Sequence, residues 1–261
     1  MKKRINIKLV SLVITFCFLI TAFVPGFDIE AAAKKDIKLE GFTQMTQNGM
    51  AVYGMDKAGR YLYIAGLLKY NIVKYDCVTG KSKNIKVGGN NREAVYPKIK
   101  VVGKYIYFVE GINLGTTKST SCISRIDIDG KHKKILVKGP NNFAIKGNKL
   151  YYTKNKVSYV ANLNGSHAKK TNVKIPNEVI NNEESKYAKL KFVNGALKIK
   201  NKKTGKTIKY KFKPGVQKVC YAVIDDCVII NNLYGGWKNE FCVMHYDGKN
   251  EHKIKYLSNN K

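Results

Sequence analysis

The chemistry open to this chain rests on four histidines, two adjacent acid pairs, six cysteines and one tryptophan. His132 and His167 each fall two residues after a turn glycine, and His252 falls four after Gly248. That puts them at related points of successive repeats, which separates them and argues against one shared metal site. His245 stands beside Met244 and Tyr246, and no H-x-x-H, H-E-x-x-H or G-x-S-x-G pattern occurs. Asp225-Asp226 and Glu183-Glu184 could hold calcium or assist glycoside hydrolysis only with partners from distant segments, so they read as surface turn residues. Gly80-Lys81-Ser82 and Gly205-Lys206-Thr207 imitate the end of a phosphate loop, but Tyr75 and Lys200 stand where its earlier glycine belongs. No catalytic residue, metal ligand or cofactor is assigned.

The segment 231–240 (NNLYGGWKNE) is the candidate binding site. Glycines 235 and 236 precede Trp237, with Tyr234, Asn231, Asn232, Lys238 and Asn239 around it. An aromatic ring can stack on a sugar while amides bind its hydroxyls. The competing reading is that Trp237 fills a gap against a neighbouring element. Residues 111–121 (GINLGTTKSTS) form a second long excursion at a comparable place.

Residues 1–33 read as a signal peptide. Lys2, Lys3, Arg4 and Lys8 precede an uncharged run over 9–24, Pro25-Gly26 breaks it, and Ala31-Ala32-Ala33 offers a cleavage site. An uncleaved anchor is the alternative, although sixteen apolar residues fall short of the ~20 a spanning helix needs. After cleavage no integral span is expected, and five cysteines remain: Cys77, Cys122, Cys220, Cys227 and Cys242. Their odd number and spacing describe no disulfide scaffold; one bridge among Cys220, Cys227 and Cys242 is open, with buried free thiols the preferred reading.

Charge gives the clearest functional signal. The chain has 48 Lys plus Arg against 18 Asp plus Glu, and removing 1–33 leaves a net charge of +28. Only Arg4, Arg60, Arg92 and Arg125 are arginine. Lysine is a hydrated point charge rather than a planar fork, so diffuse, salt-sensitive attraction to a polyanion is expected and nucleic acid would bind only non-specifically. A+T-rich coding bias is an alternative origin of the lysines; the electrostatics follow either way.

The elements that carry these residues repeat. Gly59, Gly103 and Gly147 lie 44 residues apart and open RYLYIAG (60–66), KYIYFVE (104–110) and NKLYYTK (148–154). Hairpin turns follow at Thr79-Gly80, Asp129-Gly130, Asn164-Gly165, Thr204-Gly205 and Asp247-Gly248. The Asp-Gly and Asn-Gly pairs suggest two-residue turns with positive φ at both centres. Short alternating runs without helical periodicity give units at about 49–87, 98–137, 143–165, a short 187–213 and 216–257. The expected fold is all-β: a β-propeller of about five four-stranded blades over 49–257, a tail at 258–261, and an antiparallel β-sandwich as the alternative. Within the N-terminal segment 34–48, DIKLEGF (36–42) could close the ring as an outer strand of the last blade.

Residues 103–137, with GKYIYFVE followed by ISRIDIDGKHKKIL, resemble the secreted bacterial repeats described as LRP1-like β-propellers, a domain of unknown function. The resemblance covers about 49–257, is most specific over 95–175 and 225–257, and weakens in the short fourth unit. It implies a propeller and export, and brings no catalytic residues. The expectation is therefore a secreted or cell-envelope-associated, basic binding or scaffold module of a Gram-positive-like bacterium. Its expected partner is anionic wall polymer or acidic polysaccharide; a polysaccharide hydrolase or lyase, or a protein–protein scaffold, is the alternative.

Overall fold

The computed structural model describes residues 37–254, except 41, 48–49, 67–69, 89–92, 141, 177–178, 182 and 235–238. The expected signal peptide and the tail 258–261 lie outside the described residues. By their contacts Ile37 and Lys38 belong to a first unit, and everything below concerns the second, from Leu39 onward. No helix among the described residues is long and apolar enough to cross a membrane.

In chain order the first strands are β1 (Phe42–Gln47), β2 (Met50–Ala58), β3 (Tyr61–Gly66), β4 (Asn71–Asp76) and β5 (Ser82–Lys86). A second group is β6 (Ala94–Val102), β7 (Tyr105–Ile112), β8 (Thr120–Asp127) and β9 (Lys134–Lys138). A third is β10 (Asn142–Lys146), β11 (Lys149–Lys154), β12 (Val157–Asn162) and β13 (Lys169–Lys170), followed by the short β14 (Val179–Asn181). The fourth is β15 (Ala188–Val193), β16 (Ala196–Asn201) and β17 (Thr207–Tyr210). The last is β18 (Val216–Ile224), β19 (Cys227–Tyr234), β20 (Asn239–His245) and β21 (His252–Lys253). Each group is one antiparallel up-and-down sheet, five in all, and only β14 leaves its place to pair parallel with β1 in the first sheet. The protein is all-β over the described residues, with five small sheets in place of the two that a sandwich would show.

Burial explains why the middle strands read as continuous apolar runs. β3, β7 and β20 are buried on both faces, as a strand must be when a sheet covers each side. Outer strands β5, β9 and β17 are mostly exposed or half-buried. Apolar clusters then give the packing order. Leu62, Ile64 and Val73 of the first sheet pack with Ile229, Phe241 and Val243 of the last. Tyr63, Ile72 and Ile85 meet Ile99, Ile106 and Phe108 of the second. Tyr107 and Ile123 meet Phe143, Leu150 and Tyr152 of the third. Leu190, Leu197 and Ile199 of the fourth meet Val228, Ile230 and Met244 of the last. The order is fourth, last, first, second, third, so the first and last sheets meet.

The turn glycines trace the same order. A Cβ on Gly130 would touch Ile85 of the preceding sheet, one on Gly165 would touch Leu136, and one on Gly248 would touch Ile208. Gly80 of the first sheet lies under the His252 ring of the last. Gly205, the counterpart in the fourth sheet, has nothing within 4 Å. Among the described residues no apolar cluster joins the third and fourth sheets. The free face of the third is covered instead by Leu39, Val173 and Ile175, which pack on Ala144, Tyr151 and Val160.

Two details correct the sequence reading. In the Asp-Gly and Asn-Gly turns only the glycine has positive φ, at 91° for Gly130, 84° for Gly165 and 83° for Gly248. Gly130 donates to the Asp127 carbonyl at 2.9 Å and Asp127 to that of Lys131 at 2.9 Å, a three-residue loop with a glycine bulge. The residue two places on is also left-handed: His132, His167 and Asn250. His252 is thus a β21 residue outside that series. The second correction concerns the N-terminal segment. Phe42 opens β1, which pairs with β2 on one side and β14 on the other and lies against β6 and β18. It therefore runs along the inner edges of several sheets, with Gln44 and Met45 buried.

Candidate functional site

The fourth sheet carries the most unusual surface. Strand alternation sends Leu190, Ile199 and Ile208 into the core shared with the last sheet. The opposite face therefore receives the intervening residues. Lys189 pairs with Lys200, and Lys191 pairs with Lys198, which pairs in turn with Lys209. Directly opposed side chains in such a ladder sit about 5 Å apart at Cβ, and like charges so placed repel. Glu184 sits 3.3 Å from Lys189 and 2.9 Å from Lys202. Those two lysines hold its carboxyl below the usual range. Among the described residues no acid lies in ion-pair range of Lys191, Lys198, Lys200 or Lys209. No apolar cluster forms on this face of the sheet among the described residues.

Sequence reasoning counted these lysines but did not locate them. The available signal was their period of two at 189/191, 198/200 and 209/211, in a stretch from 185 to 224 that holds no Asp or Glu. Such alternation puts every lysine on one face.

The residues expected to bind around Trp237 are placed differently. β19 runs through Tyr234 and β20 begins at Asn239, so 231–234 and 239–240 of the expected excursion are strand residues. Trp237 and Lys238 lie outside the described residues. Asn231 and Asn232 are strand residues, buried and consecutive, so they point to opposite faces of the sheet. Asn239 is buried and hydrogen-bonds the Tyr53 hydroxyl. Tyr234 is half-buried at the end of β19. The other excursion shortens to 113–119, where Thr116 donates its hydroxyl to the Asn113 carbonyl at 2.8 Å.

The acids are engaged in ion pairs and turns. Lys57 Nζ reaches Asp225 at 3.2 Å and Asp226 at 3.0 Å across the first and last sheets. Burial alone would lower the Lys57 pKa, but the two carboxylates hold it well above the ordinary lysine range. Asp225 occupies, with φ 52°, the turn position that Gly59, Gly103 and Gly147 hold in the first three sheets. Buried Glu110 accepts from Ser124 at 2.5 Å and Lys133 at 2.7 Å, and buried Glu240 binds Lys213 at 2.8 Å and also Lys253. The two phosphate-loop imitations are hairpin turns after β4 and β16, where Gly80 and Gly205 donate back to Asp76 and Asn201. His132 contacts Asp127 at 2.8 Å and His167 contacts Asn162 at 3.1 Å, each locally within its own turn.

No family model and no curated protein sequence matches the chain. Similar solved structures include the tricorn protease, at 14% identity and TM-score 0.35 over 85% of this chain and 24% of that one. An oligogalacturonate lyase in complex with manganese matches at 8% and 0.37, over 83% and 66%. A chain of a nidogen/laminin complex matches at 12% and 0.36, over 84% and 94%. The chain thus spans about a quarter of the protease chain and about two thirds of the lyase chain. At these scores the architecture rests on the pairing and packing of the sheets themselves.

Proposed function

We propose that this chain is an exported binding or scaffold module of β-propeller type, akin to the LRP1-like repeats, that holds an anionic cell-envelope polymer or acidic polysaccharide against its fourth sheet. The observation that carries the reading is the register of Lys189, Lys191, Lys198, Lys200 and Lys209 on the face turned away from the core. Opposed lysines weaken a sheet, and a polyanion lying across them converts that repulsion into attraction. The packing order supports the ring, with one seam left open beside this face. Tyr234, Trp237 and Lys238 are a proposed source of selectivity. Ammonium groups on flexible stems suit a polymer of variable sequence, so binding is to be salt-sensitive and tolerant of polymer identity.

The test is sedimentation of the protein with intact and polymer-stripped wall across a salt series, alongside a variant carrying Lys191→Gln, Lys198→Gln and Lys209→Gln. Weaker binding by the variant, with a shallower salt dependence, supports the assignment. Equal binding by variant and wild type would remove the fourth sheet from the reading, and binding to stripped wall that salt does not affect would remove the polymer.

A further inference from the structure

The seam between the first and last sheets brings together two thiols that the sequence separates by 150 residues. Cys77 follows directly on β4, and Cys227 opens β19. Their sulfurs stand 3.3 Å apart, with the Cys227 thiol donating to Cys77. All five described cysteines are free thiols, and Cys122, Cys220 and Cys242 are buried. Cys77 is half-buried, Cys227 is buried, and both residues line a cleft of about 330 Å³, as do Lys57, Arg60, Tyr75 and His245. The cleft therefore gives a small molecule a path to Cys77, while strand pairing at β4 and β19 holds both backbones in place.

We propose that Cys77 and Cys227 form a reversible disulfide that locks the last sheet to the first. The oxidant class is a small-molecule disulfide. A thiolate at Cys77 attacks one sulfur of that disulfide, giving a mixed disulfide on Cys77 and releasing one small thiol. The Cys227 thiol then loses its proton and attacks the Cys77 sulfur, and the second small thiol leaves. The balance is two protein thiols and one small disulfide giving one protein disulfide and two small thiols. Local chemistry divides the roles in that direction. The hydrogen bond from Cys227 lowers the Cys77 thiol against the effect of burial, and Lys57 favours its charged form; Cys227 is pushed far up by that same bond and by burial. A lower, more accessible thiol attacks first and the protected one resolves. The product closes a loop that leaves the first sheet, takes in the whole of the second, third and fourth, and ends in the last.

The experiment is equilibration of the full-length protein in buffers of graded oxidised to reduced glutathione, acid quenching, alkylation of free thiols and peptide mapping without reduction. The expected result is one linked peptide pair, Cys77 with Cys227, while Cys122, Cys220 and Cys242 stay alkylated. The oxidised protein should also melt at a higher temperature, a shift that dithiothreitol reverses and that Cys77→Ser abolishes. Glutathione retained on Cys77 without a cross-link, linkage through any other cysteine, or two alkylated thiols under the most oxidising buffer would each overturn the proposal. The mapping uses the wild-type chain, so it stands whether or not the serine variant folds.

Discussion

The first and last sheets face each other through Phe241, Ile229, Leu62 and Val73, with Tyr53 set edge-on to Phe241 at 4.5 Å. Over that interface Lys57 clasps two aspartates and Gly80 lies under His252. The fourth sheet presents Lys191, Lys198 and Lys209 where it would otherwise meet the third, and Gly205 touches nothing. Both seams are built from the same repeated unit. What separates them is the parity of a few strand positions: apolar residues on both faces give a closed seam, and lysines on one face leave it open. A repeat can thus be exempted from packing without changing its hairpins.

The largest test of this contrast is truncation at the closed seam. Phe241→Ala should cost about 3–5 kcal/mol in urea unfolding, as expected for a fully buried aromatic. Lys191→Ala at the open seam should cost nothing measurable. A matched pair of glycines sharpens the comparison, because Gly80 and Gly205 have nearly equal φ, at 69° and 72°. Backbone strain therefore cancels between Gly80→Ala and Gly205→Ala. The first must also displace the His252 ring, 2.8 Å from the new Cβ, and should be about 1–3 kcal/mol the worse. Equal losses would mean that the two turns are equally free.

Acid should loosen the closed seam first. Burial raises the Asp226 pKa, but the Lys57 and Cys227 contacts outweigh it and leave the carboxyl below its usual range. A depressed folded value contributes stability above the unfolded value of about 4, and that contribution is lost as pH falls through the folded one. Thermal melts between pH 6 and 2 should show this decline, and Asp226→Asn should flatten it. The smallest expected effect has the opposite sign. Lys191→Gln with Lys198→Gln removes a directly opposed like-charge pair and should stabilise the sheet by about 0.2–1 kcal/mol while weakening polymer binding. A variant that lost both stability and binding would show that these lysines have a structural role.

Much of the scaffold was legible because it is local. The 44-residue spacing of Gly59, Gly103 and Gly147 and the recurring turn glycines mark the hairpins, while the sheets depart from the expected four strands at six in the first and three in the fourth. What escaped was set by distant partners. β14 joins β1 through a parallel pairing that no local pattern announces. Sequence proximity offers Cys220 and Cys242 as neighbours for Cys227, yet the thiol it contacts comes from beside the first sheet. Asn231 and Asn232 belong to the expected 231–240 binding segment, but their backbones pair with Cys220 and Val219 on one side and Phe241 and Glu240 on the other. Net charge predicted attraction, and only strand parity could turn it into a face.

The order of packing has a consequence for chain continuity. Between β13 and β14 the chain passes from the third sheet to β14 beside β1, between two sheets that no apolar cluster joins among the described residues, and Lys174 is exposed there. The sheets on either side of that crossing are joined elsewhere, through the last sheet on the first and through β14 on β1. A single peptide cleavage after Lys174 should therefore yield two fragments that remain one particle in size-exclusion chromatography. Separately produced halves, 34–174 and 175–261, should complement each other on mixing. Covalent order and packing order here are two different sequences of the same five sheets.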